Sequence, residues 1–95
     1  MPLAEKLEDF AGAIGLAATR APDDYGTSQW NYVENMADIR ELWAEISALI
    51  ARDREQVDFI SQKLEQMFSS FDAGDKDGGR SAAWAIYNMR VRRLR

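Results

Sequence analysis

Between residues 36 and 71, apolar residues recur at alternating steps of three and four positions. No glycine or proline interrupts this segment, and ten of the eleven positions on the stripe are apolar, Asp53 being the exception. A mean spacing of about 3.5 residues is typical of a helix with a coiled-coil or bundle seam. We call the ten apolar positions the heptad seam: Met36, Ile39, Trp43, Ile46, Ile50, Val57, Ile60, Leu64, Met67 and Phe71.

Two geometries fit the heptad seam. In the first, one helix runs from about residue 34 to about residue 72 and spans about 57 Å. In the second, the charged run 52–56 is a bend and the segment folds into a hairpin. The pattern favours the continuous helix, because the heptad phase is unchanged across the run and no residue in it breaks a helix. Asp53 would then set the register, pair with an arginine from another segment, or mark a solvated gap in the seam.

The N-terminal segment has helical spacing too. Its apolar residues predict an amphipathic helix from about residue 3 to about residue 18, with Pro2 at a first position that tolerates a missing N–H. Gly12 and Gly15 are either tolerated weak points of this helix or positions that let another backbone come close.

Residues 19–28, with the sequence TRAPDDYGTS, have the composition of a loop. Ser28, Asn31 and Asn35 are candidate N-caps for the helix that follows. Asn31 and Glu34 also have the spacing of a capping box, so we expect the next helix to begin between residues 28 and 35.

The C-terminal third is predicted to contain a loop and a last helix. Residues 72–80 form an acidic, glycine-rich loop in this interpretation, and Ser81 caps a basic helix over about 81–95. Trp84 and Tyr87 lie on its apolar face. The chain is therefore predicted to be a single all-α domain over residues 1–95, a small helical bundle in which shorter terminal helices flank one long central helix with a heptad pattern.

Charge is distributed unevenly along the chain. Residues 1–79 carry 16 acidic and seven basic side chains, a net charge of −9, whereas residues 80–95 carry five arginines and no acid, a net charge of +5. This asymmetry predicts either an anionic ligand for the C-terminal segment or a head-to-tail contact between it and the acidic body. The five candidate anion or nucleic-acid contacts are Arg80, Arg90, Arg92, Arg93 and Arg95.

Composition restricts the chemistry. The chain has no cysteine and no histidine, which excludes disulfides, thiolate nucleophiles, imidazole catalysis and zinc or haem sites built on those residues. We predict no catalytic residue, no cofactor and no metal site. The sequence DAGDKDG matches positions three, five and six of an EF-hand loop with Asp75, Asp77 and Gly78, but Ala73 and Trp84 occupy its first and twelfth positions. A solvated acidic turn is the favoured interpretation, with a weak loop-type cation site through Asp72, Asp75 and Asp77 as the alternative.

The partners expected from the sequence are other proteins. Large apolar side chains on the heptad seam favour a homodimer, since the terminal helices could hardly enclose the long one. Tyr25, Trp30 and Tyr32 are either core anchors or, if exposed beside Asp23 and Asp24, a hot spot for a partner protein.

We therefore expect a non-enzymatic protein-protein interaction module, such as an adaptor, assembly factor or inhibitor, working as a helical homo-oligomer. The alternative is a nucleic-acid-binding protein that uses the arginine-rich C-terminal helix. The most apolar stretch, residues 10–18, is about half the length needed to span a bilayer, so we expect no membrane association and a cytoplasmic location.

Overall fold

Four α-helices form the framework of the computed structural model, which describes residues 3–26 and 29–95. They are α1 (Leu3–Arg20), α2 (Tyr32–Leu49), α3 (Arg54–Asp72) and α4 (Lys76–Tyr87), and a 3₁₀ turn follows at Val91–Arg93. Every regular element in these ranges is helical, which confirms the all-α prediction. The predictions for Pro2 and Ser28 lie outside the described residues. None of the four helices combines the length and the apolar character needed to cross a bilayer.

The helices run antiparallel in succession around one core. The backbone of α1 lies close to α2 and α4, and α4 lies close to α3. The Asn35 side chain in the first turn of α2 donates to the Ala13 carbonyl in the second half of α1, while Arg80 at the start of α4 reaches the Ala21 carbonyl just beyond α1. Helices α2 and α3 meet mainly through side chains.

The prediction of one helix over residues 34–72 is wrong. The segment folds into two helices, as in the hairpin alternative, although the break lies at residues 50–53 and not over the charged run 52–56. Helix α2 ends at Leu49 and α3 begins at Arg54, with Ile50 in an extended conformation between them. The molecule measures 36 × 24 × 19 Å, which could not contain a straight helix of about 57 Å. Folding back lets both halves of the heptad seam bury their apolar side chains in one core, which a continuous helix would leave half covered.

Hydrogen bonds made by two arginines, Arg54 and Arg95, stabilise the turn between α2 and α3. The Arg54 guanidinium donates to the Ser47 and Ile50 carbonyls, at 2.8 and 3.0 Å, and so satisfies the end of α2. The Arg95 main-chain oxygen accepts from the N–H groups of Arg52 and Asp53, and the Arg95 N–H donates to the Asp53 carboxylate at 2.9 Å. Asp53 does pair with an arginine of another segment, but through that residue's main chain.

The capping of α2 agrees with the sequence. Asn31 is the N-cap, and its side-chain oxygen accepts from the Glu34 N–H at 2.9 Å. The Asn31 amide also donates to the Glu34 carboxylate at 3.1 Å. This reciprocal pair is a variant of the capping box, and it confirms the predicted start region of the helix.

The C-terminal third differs from its prediction. Only residues 73–75 separate α3 from α4, because Asp75 caps α4 by accepting from the Gly78 N–H. Gly79 lies inside α4, where a Cβ atom would overlap the Phe71 ring. The glycine therefore lets α4 start directly on α3, so the expected loop over residues 72–80 and the Ser81 cap are wrong. Helix α4 also ends at Tyr87, and the arginines at 90, 92, 93 and 95 lie beyond it.

Candidate protein-binding surfaces

The heptad seam lies inside a single chain. All ten of its side chains are buried against the other helices of the same molecule. Trp43, for example, stacks on Phe10 of α1 with ring centroids 5.2 Å apart. A dimer that used the whole seam would require this core to open.

The three aromatic residues of the predicted hot spot have different surroundings. Tyr25 is buried and donates to the Asn35 side-chain oxygen at 2.6 Å, and burial raises the pKa of Tyr25 to about 12. Tyr32 is half-buried and packs edge-on against Phe71, with ring centroids 5.8 Å apart. Trp30 remains 41% exposed. The structure therefore does not bring the three together as one exposed patch.

In the described ranges, two of the five C-terminal arginines form ion pairs with acids of the same chain through their guanidinium groups. Arg80 donates to the Asp24 carboxylate at 2.6 Å, and Lys76 pairs with Asp24 at 2.9 Å. Hydrogen bonds from Lys76 and then Arg80 hold the pKa of Asp24 below its usual value. Arg92 pairs with Glu8 of α1 at 3.0 Å. Part of the predicted contact between basic segment and acidic body is thus made within one molecule.

The five arginines do not form one continuous patch. Arg80 lies in the second turn of α4 and Arg92 lies beyond its last turn, and the helical residues from 80 to 87 alone span about 10 Å. Arg90, with a positive φ of 60°, and Arg93 line a small cleft of about 200 Å³ beside Asp53. The basic helix expected over residues 81–95 is therefore not formed as one surface. The helix ends at Tyr87, and the arginines lie in separate surroundings.

An open cleft of about 450 Å³ lies between α1 and α2. Its apolar part comes from Leu16 and Leu42, and Gly12 leaves the α1 backbone uncovered, since a Cβ there would have no neighbour within 4 Å. We call it the α1–α2 cleft, and its lining consists of Glu8, Asp9, Gly12, Ala13, Leu16, Trp30, Asn35, Asp38 and Leu42.

Three carboxylates give the α1–α2 cleft a negative field. Partial burial raises the pKa of Asp38, and the neighbouring Glu41 and Asp9 raise it further. Within the part of the chain that the structure describes, neither Asp9 nor Asp38 forms an ion pair with a lysine or arginine. Glu8 pairs with Arg92 but keeps 63% of its side chain exposed. The cleft therefore places acidic groups that repel one another next to an apolar floor.

A second, smaller concavity of about 280 Å³ lies between α2 and α3. The Trp43 indole N–H donates to the Ser61 hydroxyl at 3.1 Å, and the Arg40 guanidinium lies 4.0 Å from the centre of the Phe68 ring. We call it the α2–α3 groove, and its lining consists of Arg40, Trp43, Ala44, Ser61, Leu64, Glu65 and Phe68.

Another concavity, of about 700 Å³, lies along α3 and α4 and has a different character. Glutamine and serine side chains dominate its lining, and Lys63 and Glu65 contribute charges of both signs. It offers neither an aromatic side chain nor a field of one sign, so it gives a ligand little to recognise.

The acidic turn after α3 forms a helix start. Asp75 accepts from the Gly78 N–H as the N-cap of α4. Within residues 3–26 and 29–95, no group of three or more acidic side chains is placed to hold a metal ion.

The α1–α2 cleft was missed by the sequence analysis. Asp9 and Asp38 resemble any other acid on the polar face of a helix, and only the register between α1 and α2 brings them together. Gly12 was the available signal, because a glycine in a helix interior lowers helix stability by about 1 kcal/mol relative to alanine, and here it leaves the α1 backbone open to the cleft. Comparisons with models of known families, with characterised proteins and with solved structures give no match.

Proposed function

We propose that the protein is a non-enzymatic protein-protein interaction module that captures a basic amphipathic segment of a partner protein in the α1–α2 cleft. The observation that carries this proposal is the juxtaposition of Asp9 and Asp38 with the apolar side chains of Leu16 and Leu42. A helix with leucines on one face and flanking arginines or lysines matches both features, because its apolar face covers the floor and its cations meet the carboxylates.

Electrostatics favours a cationic ligand. The Asp38 carboxylate is partly buried and faces Asp9 and Glu41, which explains its raised pKa. A bound guanidinium or ammonium group would compensate both the lost hydration and the repulsion. Binding should therefore lower the pKa of Asp38, and affinity should fall as the pH falls through that pKa.

Two further features of the cleft suit a basic segment. The Trp30 indole lines the wall and is 41% exposed, and an indole face attracts arginine and lysine side chains. Gly12 leaves room for partner atoms directly above the α1 backbone.

A peptide titration tests this function. The probe is a synthetic helical peptide with leucines at positions i and i+4 flanked by arginines, measured by calorimetry and tryptophan fluorescence near neutral pH. The wild-type protein should bind it, and the Asp9→Asn/Asp38→Asn variant should bind at least about tenfold more weakly, a difference of about 1.4 kcal/mol.

The matched control removes the same charge elsewhere. Glu55→Gln/Asp58→Asn neutralises two exposed carboxylates on α3, outside the α1–α2 cleft, and should bind the peptide like the wild type. If both double variants bound the peptide equally weakly, the effect would come from the net charge of the protein and not from the cleft. No binding by the wild type would reject the cleft as a site for basic segments.

Nucleic-acid binding is the second candidate function. It is favoured by an exposed aromatic pair, Trp84 and Tyr87, whose ring centroids lie 5.6 Å apart, and by Arg92, which interacts with Tyr87. Stacking on a base and ion pairs with phosphates would use these groups together. Replacement of the arginines at 90, 92, 93 and 95 by glutamine should abolish a salt-sensitive affinity for single-stranded RNA. The absence of such affinity in the wild type would exclude this function.

A further inference from the structure

The α2–α3 groove differs from the other helix contacts because large side chains hold its walls apart. Trp43 bridges to Ser61, and Arg40 lies over Phe68, while the two backbones approach only sparsely. Trp43 and Leu64 are the seam residues that reach the base of this groove. Part of the heptad seam therefore borders an outer surface of the molecule.

The rim of the α2–α3 groove carries opposite charges on opposite walls. Arg40 lies on the α2 wall and Glu65 lies on the α3 wall, and both residues are exposed. In the described ranges, neither residue has an ion-pair partner within 4 Å. This rim contrasts with the α1–α2 cleft, whose charged lining is entirely acidic.

A two-fold axis parallel to α2 and α3 would make this rim self-complementary. Such an axis places α2 of one copy opposite α3 of the other. The contacts of Trp43 with Ser61 and of Arg40 with Phe68 fix the register of α2 on α3. In this register Arg40 and Glu65 lie at a similar height along the groove that both line, so the rotation brings each arginine against the glutamate of the other copy. The small side chain of Ala44 on the α2 wall is exposed and allows the copies to approach closely.

We propose that a second copy of this chain docks on the α2–α3 groove, giving a two-fold symmetric dimer held by reciprocal pairs between Arg40 of one copy and Glu65 of the other. An isologous interface needs one patch that is complementary to itself, and a groove with both charge signs on facing walls meets that condition. The surface is separate from the α1–α2 cleft, so this inference does not depend on the proposed capture of a basic segment.

Light scattering across a hundredfold dilution tests the dimer, together with two charge-reversal variants. Wild-type protein should have a mass near twice 10.8 kDa. Arg40→Glu alone and Glu65→Arg alone should each dissociate at a concentration at least about tenfold higher than the wild type, a cost of about 1.4 kcal/mol. Each single variant places like charges together at both pairs.

Mixing the two variants gives the decisive result. A heterodimer of Arg40→Glu with Glu65→Arg restores opposite charges at both pairs, so the 1:1 mixture should recover the dimer mass. Neither variant has opposite charges at positions 40 and 65 of its own chain, so only contacts between two different chains can restore the dimer. A monomeric wild type, undisturbed single variants, or a mixture that stays monomeric would each overturn the proposal.

Circular dichroism establishes that the variants keep their helices. If loss of the Arg40 contact with Phe68 unfolds a variant, Ala44→Glu replaces it, because this side chain is exposed and the change adds a carboxylate inside the groove. Ala44→Glu should then be monomeric, and a persistent dimer would overturn the proposal. Peptide capture in the α1–α2 cleft should be unchanged in every folded variant.

Discussion

Helix α3 has two antiparallel neighbours, and it packs against them in different ways. Towards α4 the backbones come close, because Gly79, Ala82 and Ala83 present little side-chain volume and the Phe71 ring lies directly on Gly79. Towards α2 the backbones are held apart by larger groups, with Trp43 bonded to Ser61 across the gap. We call the α3–α4 contact, which is made by small residues, the closed contact, and the α2–α3 contact, which is made by large residues, the open contact.

The difference indicates where this molecule can present binding surfaces. A contact made through small residues leaves little space between its helices, so its sequence is constrained by packing. A contact made through long side chains leaves a groove whose rim can carry charges. The α1–α2 cleft has a different origin, because there the absence of a side chain at Gly12 leaves the outer side of the α1 backbone uncovered.

Truncation at the open contact should have the largest effect on stability. Trp43→Ala removes the stack on Phe10 and the hydrogen bond to Ser61. We expect a loss of about 3–5 kcal/mol in the free energy of unfolding. Urea denaturation followed by circular dichroism measures it. Trp84→Ala, at a site that is 40% exposed, should lose no more than about 1 kcal/mol. Similar losses for the two variants would show that the open contact is not held by Trp43.

A single methyl group should disturb the closed contact. Gly79→Ala places a Cβ into the Phe71 ring, and overpacking of this kind costs about 1–3 kcal/mol. Thermal and urea unfolding report the change. The control is Gly12→Ala, where a Cβ meets no atom within 4 Å and helix propensity favours alanine by about 1 kcal/mol. Stabilisation by both substitutions would contradict the close packing of α4 on α3.

A buried hydrogen bond supports the contact between α1 and α2, because Tyr25 donates to Asn35, whose amide in turn donates to the Ala13 carbonyl of α1. Tyr25→Phe leaves the Asn35 side-chain oxygen without its hydroxyl donor, and we expect a loss of about 1–2 kcal/mol in unfolding free energy. Amide hydrogen exchange should show reduced protection in the first turn of α2. An unchanged free energy of unfolding would mean that Asn35 finds another donor.

The smallest expected effects on stability come from two carboxylates, Asp38 and Asp24, and they depend on pH. The pKa of Asp38 is raised, so its ionised form costs stability above that pKa, and the cost disappears as the pH falls below the unfolded value near 3.8. Asp38→Asn should therefore raise stability near neutral pH, by about 0.5 kcal/mol or less, and have no such effect in strong acid.

Asp24 should show the opposite sign. Its pKa is lowered by Lys76 and Arg80, so its contribution is present above the unfolded value of 3.8 and is lost as the pH falls through the lowered folded pKa. Asp24→Asn should lower the melting temperature near neutral pH, with a difference that vanishes in strong acid. Melting curves of Asp24→Asn and Asp38→Asn across pH test both predictions. A shift of the melting temperature in the same direction for both variants near neutral pH would contradict the electrostatic difference between the two sites.

Local signals in the sequence were sufficient for much of the helical framework. The spacing of apolar residues located the helical segments, and Asn31 with Glu34 marked the start of α2. The continuous helix was favoured over the break after Leu49, because residues 50–53 contain no helix breaker and the turn is stabilised by the distant main chain of Arg95. Asp53, the polar position in the stripe, was the local sign of that turn.

The binding surfaces depended on tertiary contacts to a greater degree. The asymmetric charge of the chain was evident, but the pairs of Arg80 with Asp24 and Arg92 with Glu8 depend on how α4 and the 3₁₀ turn lie against α1. The facing of Asp9 and Asp38 likewise depends on helix register. Helical periodicity places a residue on a face of its own helix, and it carries no information about which residue faces it from the next helix.

A charge-swap titration tests the central proposal, that the α1–α2 cleft recognises a basic segment, most directly. Wild-type protein and the Asp9→Lys/Asp38→Lys variant are each titrated with the arginine-flanked peptide and with a version in which glutamate replaces every arginine. We predict that the wild type binds the basic peptide and the variant binds the acidic one. The same preference in both proteins would contradict recognition by these two carboxylates.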